Sequence, residues 1–348
     1  MRSTASQLTV LLFTLLSGSG LSAHDKPRAT ETAYHSQAGW LTPPKGLAYI
    51  GSAHGDIAVS RAGTVYISVL GGEKSGIQIY DADGAYLGNV AGAPSDIHAF
   101  LIRQEDDGQE YIYAVQLEAE RVVKMRLNGE KVIDIALPGR IPAQFHNAAA
   151  TLPKGVDTRA LKLSGIAVAS RGDIYVVDGY GRDYIHQLNA KGEYLRSFGG
   201  REAPWNFQNC HKIAIDPRYQ PERLLCADRA NGRLVHMTLS GERIGLFAEG
   251  LRRPSAMAFR GDQIAVAEIS GRVSLWDSAG QQLGTLGTND NRELTDHRRT
   301  PPEKWIEGVF NSPHGIAFDA QGDLYITEYN RWGRILKFTR EAIAPPAP

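Results

Sequence analysis

Short apolar segments with β-type alternation recur along the chain, separated by polar turns that contain Gly, Asn or Asp. In one copy the apolar segments are residues 165–169, 174–178, 184–188 and 193–198. Period-two alternation with β-branched and aromatic residues predicts strands, and the glycine-containing polar segments predict the turns between them. Each copy is therefore predicted to form a four-stranded unit.

Five further copies begin near Asp56, His98, His211, Ser255 and His314. Most of the starts are about 40 to 45 residues apart, which is the spacing of β-propeller blades. We therefore predict an all-β fold, a six-bladed β-propeller over residues 46–340. The last copy has no fourth strand, whereas residues 46–50 precede the first copy as a spare strand. An N-terminal strand is thus expected to complete the last blade and close the ring.

The N-terminal segment has the pattern of a secretory signal peptide over residues 1–23. Arg2 precedes an apolar run at 8–16, and small residues lead to Ala23. The run is shorter than the roughly 20 apolar residues that a transmembrane helix needs. A secreted or periplasmic protein without a membrane span is therefore expected, with a partly disordered leader at 24–45 and a flexible Pro-rich tail at 341–348.

The balance of charges and the two cysteines limit which partners and which kinds of site are expected. The 38 basic and 38 acidic residues balance, and they form no basic block of the kind that binds nucleic acid. We expect a small-molecule or peptide-terminus substrate, no nucleic-acid partner, and a monomer. The two cysteines, Cys210 and Cys226, fall on neighbouring predicted strands. Export permits a disulfide, but the spacing leaves the pairing open, and Cys210 beside His211 is an alternative metal ligand.

Histidine recurs at one position of the repeat, two residues before the first large apolar residue. In chain order this position holds Gly55, His98, Ser164, His211, Ser255 and His314. The first strand of a propeller blade lines the channel, so three histidines from alternate blades should point at the axis. Three neutral imidazoles with an open fourth position are typical of catalytic zinc, and copper, nickel or iron also accept them. We predict that His98, His211 and His314 bind Zn²⁺ or another divalent transition metal. His54 does not share the repeat position and lies just before the first strand; it is interpreted as a structural or surface residue, with an approach to the channel mouth as the alternative.

Polar residues at the ends of the second strands lie at the same predicted rim. These positions are Val69, Gln116, Asp178, Asp228, Glu268 and Glu328. Carboxylates there commonly accept hydrogen bonds from backbone N–H groups, so most are expected to be structural. Tyr180 and Arg229 follow two of these strands and are the catalytic candidates. A tyrosine near a metal can act as a general base if its pKa is depressed, and an arginine can clamp a carboxylate.

The repeat resembles NHL repeats, and the ring over about residues 57–338 is similar to the lyase domain of peptidylglycine α-amidating enzymes, the peptidyl-α-hydroxyglycine α-amidating lyases. The resemblance is most specific at residues 177–180, 227–233 and 312–316. It implies a six-bladed propeller with an axial zinc on His98, His211 and His314, and a structural calcium nearby. It also implies that Tyr180 is the catalytic tyrosine and Arg229 a second active-site residue.

Two positions depart from that family. Leu70 stands where the family has a catalytic arginine, and Gly315 stands where its members have an acidic residue, which weakens the calcium prediction. The leading hypothesis is a zinc-dependent carbon–nitrogen lyase that cleaves a carbinolamide to an amide and glyoxylate. The alternatives are a metal-dependent hydrolase or lyase of other specificity, and a non-catalytic binding propeller of the NHL type.

Overall fold

Six four-stranded antiparallel sheets surround one axis in the computed structural model, which describes residues 33–147 and 159–341. The predicted signal peptide and the end of the tail lie outside these residues. Besides the strands, the described residues form two short 3₁₀ helices, Ala143–Phe145 and Pro302–Lys304. Within the described ranges, no helix has the length and apolar character to cross a membrane. The predicted all-β six-bladed propeller is confirmed.

The strands follow one another within each blade from the axis outwards. Blade 1 contains β2 (Ile57–Val59), β3 (Val65–Val69), β4 (Gly76–Tyr80) and β5 (Tyr86–Asn89). Blade 2 contains β6 (Ile97–Gln104), β7 (Glu110–Gln116), β8 (Arg121–Arg126) and β9 (Lys131–Ala136). Blade 3 contains β10 (Gly165–Val168), β11 (Ile174–Val177), β12 (Tyr184–Leu188) and β13 (Tyr194–Gly199).

The second half of the ring repeats this order. Blade 4 contains β14 (Cys210–Asp216), β15 (Arg223–Asp228), β16 (Arg233–Thr238) and β17 (Arg243–Glu249). Blade 5 contains β18 (Pro254–Arg260), β19 (Gln263–Glu268), β20 (Arg272–Trp276) and β21 (Gln282–Leu286). Blade 6 contains β22 (Pro313–Phe318), β23 (Leu324–Glu328), β24 (Ile335–Glu341) and, as its outer strand, β1 (Ala33–Ser36).

An N-terminal strand closes the ring, as predicted, but a different strand from the one expected. β1 pairs antiparallel with β24, so the ring begins within the segment that the sequence assigned to a leader. Residues 46–50 form no strand. Two consecutive prolines precede them and lack the N–H donors of a sheet ladder, and Ile50 packs with Trp40 and Tyr325 at the junction of blades 6 and 1. Tyr34 anchors β1 against the apolar cluster of blades 5 and 6.

The core is divided into six apolar clusters, each between two neighbouring blades. The first strands touch in succession around the axis, and β22 contacts β2 to complete the circle. Because every blade buries both faces against its neighbours, the position of each first strand relative to the axis is fixed. The ring thereby holds side chains from different blades at defined distances from one another.

Candidate metal centre

Three histidines from alternate blades meet at the axis. His98 lies on β6, His211 on β14 and His314 on β22, and each is about 1% exposed. The ring centroids of His98 and His211 are 5.3 Å apart, those of His98 and His314 5.2 Å, and those of His211 and His314 4.9 Å. The shared register position of the repeat therefore brings three imidazoles into one cluster.

Backbone carbonyls of the following blades orient these rings. His98 Nδ1 is 2.9 Å from the Ser164 carbonyl, and His211 Nδ1 is 2.7 Å from the Ser255 carbonyl. The Gly55 carbonyl lies beside the His314 ring in the same way, but outside hydrogen-bond geometry. An Nδ1–H that donates to a carbonyl leaves the lone pair on Nε2. His98 and His211 therefore direct acceptor nitrogens at the axis.

Burial keeps the imidazoles in the uncharged form that binds metals. It lowers the pKa of His98, His211 and His314 well below the usual value, and the Arg229 guanidinium lowers all three further. Metal ligation by histidine requires the neutral ring. The cluster is thus ready to accept a cation without first losing protons.

A fourth histidine, His54, lies at the same place. Its ring centroid is 5.0 Å from that of His98 and 4.8 Å from that of His314. The candidate ligand atoms of His54, His98 and His314 all lie within 4.8 Å of one another, whereas His211 falls outside that set. His54 therefore approaches the mouth of the channel, the alternative to a purely structural or surface position. The repeat alignment did not place His54 among the proposed ligands, because His54 precedes the shared repeat position by one residue.

Tyr180, in the loop after β11, points its hydroxyl into the cluster. Its Oη is 2.7 Å from His211 Nε2, 3.0 Å from His98 Nε2 and 3.4 Å from His54 Nε2. Burial raises the pKa of Tyr180, and Arg229 opposes that shift. The net direction is upward, so the depressed tyrosine pKa that the sequence interpretation needed is not found.

Arg229, directly after β15, is a buried cation beside the tyrosine. Its guanidinium carbon is 5.8 Å from the centre of the Tyr180 ring. Its Nε and Nη2 have no hydrogen-bond partner among the described residues. Burial lowers the pKa of Arg229, and Tyr180 opposes that shift. A buried guanidinium with free donors is suited to an anionic group.

Sequence reasoning also missed Tyr329, which follows β23. Its ring lies 4.2 Å from that of His54 and 6.4 Å from that of His314, measured between centroids. His54, Tyr180 and Tyr329 are partly exposed, whereas the other three histidines are buried. These three side chains therefore form the open side of the centre.

The carboxylates at the ends of the second strands are structural, as expected. Asp228 accepts the Gln208 N–H at 2.8 Å, and Glu328 accepts the Ser312 N–H at 3.0 Å. Asp178 and Glu268 accept N–H groups in the same way from Lys162 and Arg252. Each bond ties the end of a second strand to the entry of its first strand. The carboxylates thus fix the backbone from which the histidines project.

One residue deeper, a buried ion pair crosses the axis. This layer consists of Asp56, Ala99, Gly165, Lys212, Ala256 and Gly315. Lys212 of blade 4 bonds to Asp56 of blade 1, on the opposite side of the ring. A Cβ on Gly315 would lie 2.9 Å from Asp56 Cα. This layer does not fit the calcium ion that the resemblance implies, because Gly315 supplies no carboxylate and an ammonium group already pairs with Asp56.

The two cysteines are paired. Cys210 and Cys226 form a disulfide between β14 and β15. The sulfur of Cys210 is therefore engaged, and the alternative in which it is a metal ligand beside His211 does not hold.

The residues present fit a transition-metal ion. Both ring nitrogens of His314 are buried without a hydrogen-bond partner in the described part of the chain. The single hydroxyl proton of Tyr180 can serve only one of the three Nε2 atoms that it contacts. Unpaired lone pairs in a buried cluster are costly, and a bound cation would satisfy them. Imidazole donors suit zinc, copper, iron and nickel.

Known proteins resemble the chain in sequence and in fold. The NHL repeat model matches residues 310–338. A probable peptidyl-alpha-hydroxyglycine alpha-amidating lyase of Caenorhabditis elegans is 24% identical over 232 residues, which cover 64% of this chain and 56% of that protein. Peptidyl-alpha-hydroxyglycine alpha-amidating lyase 2 of Drosophila melanogaster is 29% identical over 170 residues, which cover 48% of this chain and 39% of that protein.

A streptogramin B lyase structure shares the fold with a TM-score of 0.56 at 14% identity, covering 89% of this chain and 98% of that one. The matches span about half or less of the length of the curated relatives. The expected resemblance to NHL-repeat propellers and to amidating lyases is confirmed.

Proposed function

We propose that this protein is an exported, metal-dependent lyase that cleaves the carbon–nitrogen bond of a carbinolamide, giving an amide and glyoxylate. The observation that carries the proposal is the position of the Tyr180 hydroxyl, which contacts the Nε2 atoms of His98 and His211 beside the Arg229 guanidinium. Distant relatives named as amidating lyases support a lyase-like propeller.

In this proposal His98, His211 and His314 hold the metal through their axial nitrogens. We take the metal to be Zn²⁺, which favours a few imidazole ligands with one open position. When bound, it acts as a Lewis acid that stabilises negative charge on the substrate oxygen. Export follows from the signal-peptide pattern of residues 1–23.

Arg229 binds the carboxylate of the substrate. Its buried Nε and Nη2 lack partners among the described residues, and two N–H groups of a guanidinium match the two oxygens of a carboxylate. A carboxylate bound there lies next to the Tyr180 hydroxyl. The carbon that carries the substrate hydroxyl, one bond from the carboxylate, is then held at the histidine cluster.

Tyr180 moves the proton. The neutral Tyr180 hydroxyl acts as a relay: it accepts the proton of the substrate hydroxyl as it passes its own proton to the leaving nitrogen, while the oxygen–carbon bond becomes a carbonyl and the carbon–nitrogen bond breaks. The leaving amide nitrogen takes up the proton, so the products are a neutral amide and glyoxylate, and no water or oxidant is consumed. Proton transfer by a positioned side chain typically contributes about 10²- to 10⁴-fold to the rate.

The test uses zinc-loaded protein and α-hydroxyhippurate, with release of glyoxylate as the readout. We expect His98→Ala and Tyr180→Phe to lower turnover by about 10²-fold or more, while His35→Ala, an exposed residue on the outer strand of blade 6, leaves it unchanged. Arg229→Met should raise the KM for this substrate more than the KM for its carboxamide analogue. Absence of glyoxylate from metal-loaded protein would reject the reaction.

A further inference from the structure

His54 occupies a position at which the other blades carry no metal-binding side chain. The equivalent residues are Ile97, Leu163, Cys210, Pro254 and Pro313, of which Cys210 is in the disulfide. In blade 1 the phased position is Gly55, where a Cβ would lie 2.5 Å from Ser68 Cβ. No side chain fits at Gly55, and the imidazole of His54 enters the hub from one residue earlier.

The surroundings of His54 are those of a ligand. Its candidate ligand atom lies within 4.8 Å of those of His98 and His314. Within the described ranges, its ring nitrogens make one contact at hydrogen-bond distance, 3.4 Å from the Tyr180 hydroxyl. One face of the ring packs on Tyr329 with a centroid separation of 4.2 Å. Packing therefore holds the His54 ring in place, and its nitrogens are not engaged in hydrogen bonds to the backbone of the described residues.

We infer that His54 is a fourth nitrogen donor of the metal centre, so that imidazoles from blades 1, 2, 4 and 6 surround one divalent transition-metal ion. The four histidines then form two overlapping groups of three. His98 and His314 belong to both groups, and His211 completes one while His54 completes the other. Because His54 is partly exposed while the other three histidines are buried, it is the donor on the solvent side. This inference rests on the metal centre of the proposed function, but not on its reaction.

The experiment compares His54→Gln with the unsubstituted protein and with a matched control, His35→Gln. Each apoprotein is titrated with Co²⁺ and Zn²⁺ against a competing chelator, and X-ray absorption of the zinc forms measures the number of imidazole ligands. We expect His54→Gln to weaken metal binding by more than about tenfold, the low end of the loss caused by removing even an outer partner of a ligand. We also expect one imidazole fewer and a changed cobalt visible spectrum.

Unchanged affinity, ligand number and spectrum in His54→Gln would overturn the inference. Circular dichroism of the apoproteins shows whether the variant folds, and His54→Asn replaces it if it does not. If the unsubstituted protein binds metal with four imidazoles but releases no glyoxylate, the proposed reaction fails and the inference stands. If it holds metal with three imidazoles and releases glyoxylate, the inference fails and the reaction stands. A protein that binds no metal contradicts both.

Discussion

The buried ion pair of Lys212 and Asp56 is a place where a single substitution should strongly affect the stability of the ring. Their side chains are 11% and 6% exposed and bond to each other across the axis. Burial raises the pKa of Asp56, and the Lys212 ammonium opposes that shift. Removal of one member of a buried pair leaves the other charge uncompensated.

Lys212→Met is therefore expected to lower the free energy of unfolding by about 3–5 kcal/mol, measured by urea denaturation of the apoprotein. Lys131 provides the control, because its bond to Asp134 is more exposed, at 44% and 30%. Lys131→Met should change the free energy by less than about 1 kcal/mol. Equal effects of the two substitutions would contradict the role assigned to the pair.

His186, which lies outside the histidine cluster, should make the stability of the fold depend on pH. It is fully buried on β12, its Nδ1 lies 2.7 Å from Ser197 Oγ, and its Nε2 has no partner among the described residues. Burial, with a smaller effect of His146, lowers its pKa to about 3. The folded protein therefore holds this ring neutral at pH values where the unfolded chain is protonated.

Because the folded pKa lies below the unfolded one, the stability that His186 contributes is present above about pH 6.5 and is lost as the pH falls toward 3. We expect a loss of about 1.4 kcal/mol per pH unit in this window. His186→Phe should lack this component of the slope in urea denaturation between pH 6.5 and 4, whereas His35→Phe should keep it. Identical slopes would show that His186 is not held neutral.

The histidines illustrate what the sequence could predict at the residue scale. His98, His211 and His314 share a repeat position, so ring symmetry alone was enough to bring them together. His54 precedes that position by one residue, and only the crowding of Gly55 against Ser68 explains the shift. The bond between Asp56 and Lys212 joins residues separated by 156 positions, and it becomes visible only when the ring is closed.

At the scale of elements, β1 was the least predictable strand. It has four residues and one large apolar side chain, Tyr34, so its sequence contains too little alternation to identify it. The spare apolar segment at 46–50 looked more like a strand, but it follows two prolines and packs between blades 6 and 1. The strands of blade 3, where alternation is strong, agree with the predicted bounds to within one residue.

Deletion of residues 1–37 should expose the edge of β24, because it removes the strand that pairs with it. We expect the Tm to fall by about 5–10 °C, which corresponds to a loss of about 3 kcal/mol in a protein of this size, and the protein to aggregate through the free edge. Deletion of residues 1–32 retains β1 and serves as the control. Scanning calorimetry and light scattering measure the two effects, and similar behaviour of both deletions would contradict closure by β1.

At the scale of the whole molecule, the candidate metal centre brings together side chains from blades that are distant along the chain. The three proposed ligands at the shared repeat position come from alternate first strands, so an ion bound there would stabilise the closed ring as a unit. Zinc at about 100 times its Kd should add about 2.7 kcal/mol, raising the Tm measured by scanning calorimetry, and a chelator should reverse the shift. His98→Ala should abolish the response to zinc, and an equal shift in that variant would place the ion elsewhere.

The ion pair beneath the histidines also determines how molecules reach the centre. Because Asp56 and Lys212 bond to each other across the axis, we expect the channel to end there as a blind well with its mouth at His54, Tyr180 and Tyr329. Nothing can be threaded through such a well. A long polymer can present only one of its ends to the bottom, and whatever is released must leave through the opening by which it entered.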